Sequence, residues 1–209
     1  RNSPQASSFA FSINAIAAGG SHSLAIGSDG GLWATGDNIL GQLGTDSPRE
    51  GPIHLPLPNW TRFDQITSWV QIACGYVHSV ALQADGSLWT WGGNQFGELG
   101  NGITSPWFNV FGDVAPPTRI ASENSWKAIA AGFYHTVALQ IDGSLWAWGD
   151  NRGGQVALPS GLFELTNAPS QVSPAHLWKG IAAGSFHTLA IRDDGGLWAF
   201  GNNREGELG

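Results

Sequence analysis

Four segments of the 209-residue chain repeat one another without gaps, and this repetition constrains the fold more than any other feature. The segments are residues 16–44, 72–100, 129–157 and 181–209. Their histidines, His22, His78, His135 and His187, recur at intervals of 56, 57 and 52 residues. The differences in length therefore lie in the connectors between the segments. A repeat of about 50 residues is typical of propellers and other repeat architectures.

Each segment predicts three short antiparallel strands. An apolar Ile-Ala-Ala stretch is followed by an alternating stretch of the His-Ser-Leu-Ala-Ile type, and then by a stretch that begins with Leu-Trp. An Asp-Gly pair separates the second and third strands, and it favours a hairpin because glycine accepts positive φ. A fourth strand is expected in the connectors, near Ile53, Ile120 and residues 175–177. Residues 9–13 occupy the corresponding place before the first segment.

Four-stranded units that repeat at this length predict an all-β fold, a β-propeller built of four-stranded antiparallel blades. A helical solenoid is disfavoured because the glycines and Asp-Gly turns would break its helices. We expect one propeller-type domain over residues 1–209, with units at approximately 9–52, 53–115, 116–172 and 173–209.

An open arc of four blades would expose apolar flanks and strand edges at both ends. Three arrangements would cover them: the chain is an excerpt of a longer protein, two chains close a ring of about eight blades, or the four blades close alone. The partners expected on this ground are the remaining blades of a longer chain or a second copy.

The shared pattern, Ile-Ala-Ala-Gly-x-x-His through Asp-Gly-x-Leu-Trp to Leu-Gly, resembles the regulator of chromosome condensation repeat family. The resemblance covers about 29 residues of each unit, and the departures are Cys74 and the ending Gln155-Val156-Ala157 of the third copy. It implies a propeller that usually has seven blades. It also implies a surface binder, because members act as guanine-nucleotide exchange factors, chromatin readers, plant light sensors or inhibitors of bacterial enzymes. The fold does not choose among these roles.

Composition excludes several classes of function. The net charge is −7 with 9 Lys and Arg residues, so the chain would release few phosphate counterions, and no nucleic-acid partner is expected. The single Cys74 allows no internal disulfide. No apolar run reaches the length of a transmembrane helix. Few lysines and many Trp, Asn and Gly residues favour an exported protein, extracellular or periplasmic, with a cytoplasmic location as the alternative.

Residues that recur in every unit are interpreted as structural. The four histidines are expected to be buried hydrogen-bonding residues that tie strands together. The Asp-Gly pairs supply too few oxygens for calcium. No nucleotide-binding loop, nucleophile elbow or metalloprotease motif is found. The sequence therefore predicts a protein that is not an enzyme and has no metal or cofactor.

Function is instead expected where the copies differ. In each unit the loop after the first strand and the loop after the third strand should lie at one end, and the Asp-Gly turns at the other. Protein-interface residues are often aromatic or arginine, and core packing is the alternative for these rings. The expected partner-binding residues are Ile39, Leu40, Tyr76, Gln95, Phe96, Phe133, Tyr134, Arg152, Phe186, Arg204 and Glu205.

Two functions follow from this reasoning. The first is a non-catalytic protein-binding module or scaffold that presents its variable loops to a protein partner. The alternative is a regulator of a small GTPase that resembles a guanine-nucleotide exchange factor. The apolar run 107–111 in a connector is expected to cover a blade flank or to meet a partner.

Overall fold

The computed structural model describes residues 12–45, 57–63, 66–105, 115–121, 125–157 and 165–209. These residues form fifteen β-strands and no helix. The strands are β1 (Ile13–Ala18), β2 (His22–Gly27), β3 (Leu32–Gly36), β4 (Leu57–Arg62), β5 (Trp69–Cys74), β6 (His78–Gln83), β7 (Leu88–Gly92), β8 (Ala115–Ile120), β9 (Trp126–Ala131), β10 (His135–Gln140), β11 (Leu145–Asp150), β12 (Leu165–Val172), β13 (Trp178–Ala183), β14 (His187–Arg192) and β15 (Leu197–Gly201).

The strands form four antiparallel sheets, here called modules 1 to 4, in which each strand pairs with the next along the chain. Modules 1, 2 and 3 have four strands each, in the orders β1-β2-β3-β4, β5-β6-β7-β8 and β9-β10-β11-β12. Module 4 shows three described strands, β13-β14-β15. The predicted all-β architecture of four-stranded blades is confirmed.

The fourth strand of each complete module lies at the sheet edge and contains proline: Pro58 in β4, Pro116 and Pro117 in β8, and Pro169 in β12. Proline has no N–H to donate to a ladder, so an edge position suits these segments. The strand near Ile120 is confirmed, whereas Ile53 lies outside the described residues. The strand expected at residues 175–177 is wrong, because these residues belong to the turn and connection that follow β12.

The edge strands also change the limits of the units. Each closes the sheet that precedes it, so the sheets span residues 13–62, 69–120, 126–172 and 178–201. The boundaries expected at residues 53 and 116 would instead separate β4 and β8 from their own sheets. Residues 9–11 lie outside the described part of the chain, and Ile13 begins β1, the first strand of module 1.

The Asp-Gly turns form as expected between the second and third strands. Their glycines have φ between +73° and +92°, a region that other residues rarely adopt. In the turn of module 1, Gly30 N donates to Gly27 O at 2.9 Å, and Gly31 N donates to the Asp29 carboxylate at 3.0 Å. The aspartate and the glycine thus both contribute to the local geometry of the turn.

The core lies between the modules. Three apolar clusters join module 1 to 2, 2 to 3 and 3 to 4. Trp91 and Trp148 are fully buried in the first two clusters, and the first-strand residues Trp69, Trp126 and Trp178 are nearly so. A buried tryptophan removes ~150–250 Å² from water, which stabilises the fold by up to ~4–6 kcal/mol per ring.

The outer faces of modules 1 and 4 lie open in the described residues. Leu197 of module 4 is 69% exposed, whereas the equivalent Leu32, Leu88 and Leu145 are fully buried against the next module. Ile16 of module 1 is likewise exposed. No apolar cluster of the described residues combines modules 1 and 4. The described parts of the four modules therefore form an arc rather than a closed ring of four.

Candidate functional site

The two variable loops of each module lie together at one end of the strands. In every module a backbone N–H at the end of the third strand donates to a carbonyl of the first loop, over 2.7–2.9 Å. The donor is the residue after the strand, except in module 3, where it is the last residue of the strand. The pairs are Asp37 to Ser21, Gly93 to Val77, Asp150 to Tyr134, and Asn202 to Phe186. We call this end the variable-loop face; it comprises residues 19–21, 75–77, 132–134 and 184–186 with residues 37–44, 93–100, 150–157 and 202–209.

Beneath this face, three of the repeated histidines join neighbouring modules. His78 Nε2 lies 3.1 Å from Thr136 Oγ1, and that hydroxyl donates to Glu98 O at 2.8 Å. The hydroxyl proton is thereby used, so Nε2 carries a hydrogen and the imidazole is the donor. Equivalent contacts join His22 to Ser79 and His135 to Thr188.

Burial keeps these three rings neutral. Desolvation lowers the pKa of His22 and of His135 to about 4, and that of His78 to about 3. Each ring is almost fully enclosed and held between two modules. These histidines therefore act as structural links between modules, and their geometry offers no general base to a substrate.

Above the histidines, four aromatic side chains form a continuous cluster on the variable-loop face. Tyr76 and Phe133 have ring centroids 5.0 Å apart, and Phe133 and Phe186 are 5.2 Å apart. Tyr134 contacts Tyr76 at 5.7 Å and Phe133 at 6.2 Å. Tyr76, Phe133 and Phe186 remain 40%, 36% and 38% exposed. We call Tyr76, Phe133, Tyr134 and Phe186 the aromatic cluster.

Backbone hydrogen bonds between adjacent first loops hold the cluster in place. Tyr76 N donates to Phe133 O at 3.1 Å, and Phe133 N donates to Ser185 O at 3.0 Å. Three modules thus present their rings in one fixed row. The cavity beside the row is about 320 Å³ and is lined by glycine, alanine and Cys74 in addition to cluster residues and Ser185. Burial raises the pKa of the Cys74 thiol to about 12, so this thiol is not an activated nucleophile.

Phe96 was expected to contact a partner, but its ring is only 7% exposed. Tyr134 packs against it with ring centroids 4.9 Å apart, and the Arg152 guanidinium lies 4.3 Å from its centroid. Both covering residues belong to module 3. Phe96 therefore supports the face from below, because the next module supplies a ring and a cation that cover it.

The remaining predicted residues follow the third-strand loops. Ile39 and Leu40 lie in module 1, Ile39 exposed and Leu40 half-buried, and Gln95 of module 2 is half-buried. Arg152, Arg204 and Glu205 are exposed in modules 3 and 4. The structure thus brings together the aromatic cluster, Phe96, Arg152 and Arg204, whereas Ile39 and Leu40 lie on the module farthest along the arc from Arg204.

Two acidic residues at this face were not among the predicted site residues. Asp150 is buried and accepts two hydrogen bonds from the Arg152 guanidinium, over 2.8 and 3.1 Å, and a third from the Arg152 backbone N–H at 3.1 Å. Glu98 is fully buried, and its Oε2 accepts from Phe96 N at 2.6 Å. Desolvation is the main reason that the pKa of Glu98 is raised to about 8; hydrogen bonds from backbone N–H groups oppose the rise, and the Asp150 charge adds to it. The sequence distinguishes Glu98 from its counterparts in modules 1 and 3, because those positions hold the uncharged Gln42 and Gln155. This difference between copies could have marked Glu98 as a candidate site residue.

The opposite end of the modules carries the Asp-Gly turns. Arg62 pairs there with Asp29 at 3.1 Å, and Arg192 pairs with Asp194 at 2.9 Å. In the described parts of the chain no group of three or more metal-ligating side chains occurs, and no helix is long and apolar enough to cross a membrane. The apolar run 107–111 lies outside the described residues.

The sheets, their inter-module cores and the common end of the variable loops define a β-propeller protein built from tandem repeats. Models of the regulator of chromosome condensation (RCC1) repeat match residues 13–42, 69–98, 126–155 and 178–207, and a second model of the same repeat matches 29–82, 85–139 and 142–191. The chain belongs to the RCC1 repeat family.

Curated relatives with different names share this sequence pattern. The chain is 33% identical over 202 residues to the human probable E3 ubiquitin-protein ligase HERC6, covering 94% of this chain and 19% of the relative. It is 28% identical over 198 residues to the ultraviolet-B receptor UVR8 of Arabidopsis thaliana, covering 94% of this chain and 43% of the relative. The chain thus spans less than half the length of these relatives.

Solved structures share the fold. The chain superposes on yeast RCC1 (Prp20) bound to Kap60 with a TM-score of 0.77 and 26% identity, covering 95% of this chain and 45% of that one. A second structure, Prp20p from Saccharomyces cerevisiae, described with its binding properties to Gsp1p and histones, gives a TM-score of 0.77 and 28% identity. It covers 93% of this chain and 46% of that one.

Proposed function

We propose that this chain is a non-catalytic protein-binding module that holds a protein partner on its variable-loop face. The observation that carries the proposal is the exposure of Tyr76, Phe133 and Phe186 in one contiguous cluster. Large aromatic rings with a rigid backbone beneath them are the side chains that protein interfaces favour.

The contrast between recurring and variable positions supports this role. The recurring His and Trp residues are mostly buried between modules and are needed by every module alike. The cluster instead occupies positions at which other modules have Gly20, Ser21 and Ser185. Because these small residues fit the same loops, the fold does not require rings at these positions.

The names of similar proteins support protein binding in a general way. Yeast RCC1 is described in complex with Kap60 and in connection with Gsp1p and histones. The names of the curated relatives range from a ubiquitin ligase to a light receptor. One repeat scaffold thus occurs in proteins of several functions, as expected when the variable loops determine the partner.

The test replaces the three exposed rings by a residue that other modules carry there, Tyr76→Ser, Phe133→Ser and Phe186→Ser. The matched control is Ile141→Ala, which removes an exposed apolar side chain at the opposite end, where module 2 has Ala84. Partners captured from cells of origin are identified by cross-linking and mass spectrometry.

We expect the triple variant to lose the captured partner, while the control retains it and both keep the native tryptophan fluorescence. Full capture by the folded triple variant would contradict the proposal. A large loss of stability in the triple variant would show instead that the rings belong to the core.

The alternative role, nucleotide exchange on a small GTPase, has a separate test. Release of a fluorescent guanine nucleotide from a captured GTPase is measured with and without the protein. Release accelerated by the wild type and not by the triple variant would replace the binding-module proposal by an exchange factor that uses the same face. An unchanged rate would support a role in binding alone.

A further inference from the structure

We propose that the variable-loop face binds a carboxylate of an acidic partner segment between modules 3 and 4, with an adjoining apolar side chain on the aromatic cluster. This inference rests on the proposed protein-binding function and names the chemistry of the partner. Its basis is a cavity of about 380 Å³ whose lining includes Arg152, Arg204, Asn202 and Phe186.

The cavity combines one fixed and one free arginine. Arg152 is held by the buried Asp150 through two hydrogen bonds and lies over the Phe96 ring, so its position is set in advance and its charge is balanced. Arg204 is exposed and forms no ion pair with any described residue. With Asp150 in the lining as well, the cavity has a net positive charge, in a chain whose net charge is −7.

The nearby acidic residues do not cancel this charge within the cavity. Glu207 Oε2 accepts from Glu205 N at 3.0 Å, and its Oε1 accepts from Asn202 Nδ2 at 3.4 Å. These two hydrogen bonds hold the Glu207 carboxylate within its own loop. Neither Glu205 nor Glu207 lines the cavity. Arg204 therefore remains available to an anion from a partner.

The other module boundaries lack this arrangement. Arg152 and Arg204 occupy the same position of the third-strand loop, which is Ile39 in module 1 and Gln95 in module 2. Only modules 3 and 4 thus place two arginines at adjacent copies of this position. A guanidinium offers paired donors that match the two oxygens of a carboxylate.

Phe186 connects the charged cavity to the aromatic cluster. Its ring lines the cavity and lies 5.2 Å from that of Phe133. A segment that places a carboxylate at Arg204 would therefore rest a neighbouring apolar side chain on Phe186 and Phe133. The occupant that fits is a polypeptide with Asp or Glu beside an aromatic or aliphatic residue.

The first experiment selects a random 12-residue peptide library on the immobilised protein in 50 mM NaCl. We expect the enriched peptides to carry Asp or Glu next to an apolar residue. Enrichment of basic or uncharged peptides, or of none, would overturn the carboxylate site. Tighter binding of a labelled mixed-sequence single-stranded oligonucleotide than of the best peptide would also overturn it.

The second experiment measures the best peptide by fluorescence anisotropy against four proteins: the wild type, Arg204→Gln, Arg204→Lys and the control Arg192→Gln. Arg192 lies at the opposite end and pairs with Asp194, so the control removes the same charge elsewhere. We expect Arg204→Gln to weaken binding by roughly fivefold, as for an exposed ion pair. Arg204→Lys should recover part of this loss, and the control should stay within about twofold of the wild type.

A double-mutant cycle identifies the contact. The Glu→Gln (or Asp→Asn) form of the peptide should bind the wild type more weakly and show no further loss on Arg204→Gln. Independent losses, or equal effects of Arg204→Gln and Arg192→Gln, would overturn the site. Failure of the proposed protein-binding function can be told apart from failure of the carboxylate site, because the protein-binding function is tested separately by partner capture with the triple aromatic variant. Uncharged peptides whose binding needs the aromatic cluster would overturn only the carboxylate site.

Discussion

Replacing Glu98 by glutamine should stabilise the protein at neutral pH and leave its stability at pH 4 unchanged. Glu98 is fully buried under the variable-loop face, and its Oε1 has no hydrogen-bond partner among the described residues. A buried carboxylate without a cationic partner favours its neutral form. Glutamine keeps that neutral shape, and Gln42 and Gln155 already occupy the same position in modules 1 and 3.

The hydrogen bond made by Glu98 survives the substitution. Glu98 Oε2 accepts from Phe96 N at 2.6 Å, two residues before it in the chain. Gln42 Oε1 accepts from Leu40 N at 2.9 Å, and Gln155 Oε1 accepts from Gly153 N at 2.8 Å. The same loop therefore forms around an amide. The Gln42 amide also donates to Asp37 Oδ2 at 3.0 Å, whereas module 2 has Gly93 at that position, so the ionisation cost sets an upper limit on the gain in stability.

The magnitude of the expected stabilisation follows from the rise in the pKa of Glu98 from 4.5 to about 8. Since the folded pKa lies above the unfolded one, the contribution of Glu98 to stability is greatest below pH 4.5 and is lost as the pH rises toward 8. At pH 7 the unfolded chain has released a proton that the folded chain keeps. At about 1.4 kcal/mol per pKa unit, this costs at most about 3 kcal/mol, which Glu98→Gln removes.

The assay is urea unfolding followed by tryptophan fluorescence between pH 4 and pH 8, with the free energy of unfolding extrapolated to water. The matched control is Glu207→Gln, at the same position of module 4. Hydrogen bonds from backbone N–H groups, its own and that of Glu205, lower the pKa of the half-buried Glu207, so this variant should not gain stability at pH 7. Equal effects of Glu98→Gln at pH 4 and pH 7 would refute the reasoning.

Three further predictions concern the links between modules. Thr188→Val should cost about 1–3 kcal/mol, because it removes the hydroxyl that joins a buried histidine to a backbone carbonyl. Thr118→Val should cost little, because the hydroxyl of the half-buried Thr118 forms only a solvent-exposed hydrogen bond to Pro116 O; chemical unfolding measures both variants. Gly75→Ala should destabilise by about 1–3 kcal/mol, since an added Cβ would clash with the His78 ring. In Gly180→Ala the added Cβ would instead meet the end of the exposed Ile191 side chain at 3.3 Å, so this variant should change the thermal midpoint little. The histidine contribution to the free energy of unfolding should also fall as the pH drops from 6.5 to about 4. The three buried histidines stay neutral in the folded state and bind protons in the unfolded state. A constant free energy of unfolding in Glu98→Gln over this range would contradict their burial.

The repeated segments could be interpreted correctly from the sequence because their strands are connected locally. The Asp-Gly turn and the alternation around His78 specify a hairpin from neighbouring residues alone. Antiparallel connection then places both variable loops at one end, as the hydrogen bond from Gly93 N to Val77 O confirms. The connectors carry no such repeated signal: the connector strand predicted at residues 175–177, within the unit 173–209, lies instead at Leu165–Val172 and belongs to module 3. The expectation of an exported protein stays a prediction.

The sequence by itself determined the three repeated strands of each module and the end at which the modules differ, since these depend on residues close together in the chain. Only the tertiary structure decided which variable residues face solvent. Phe96 is covered by Tyr134 and Arg152, and Glu98 is kept neutral by burial beneath the same neighbouring module. Burial and ionisation depend on side chains roughly 40 to 55 residues away, which become neighbours only when one module packs against the next.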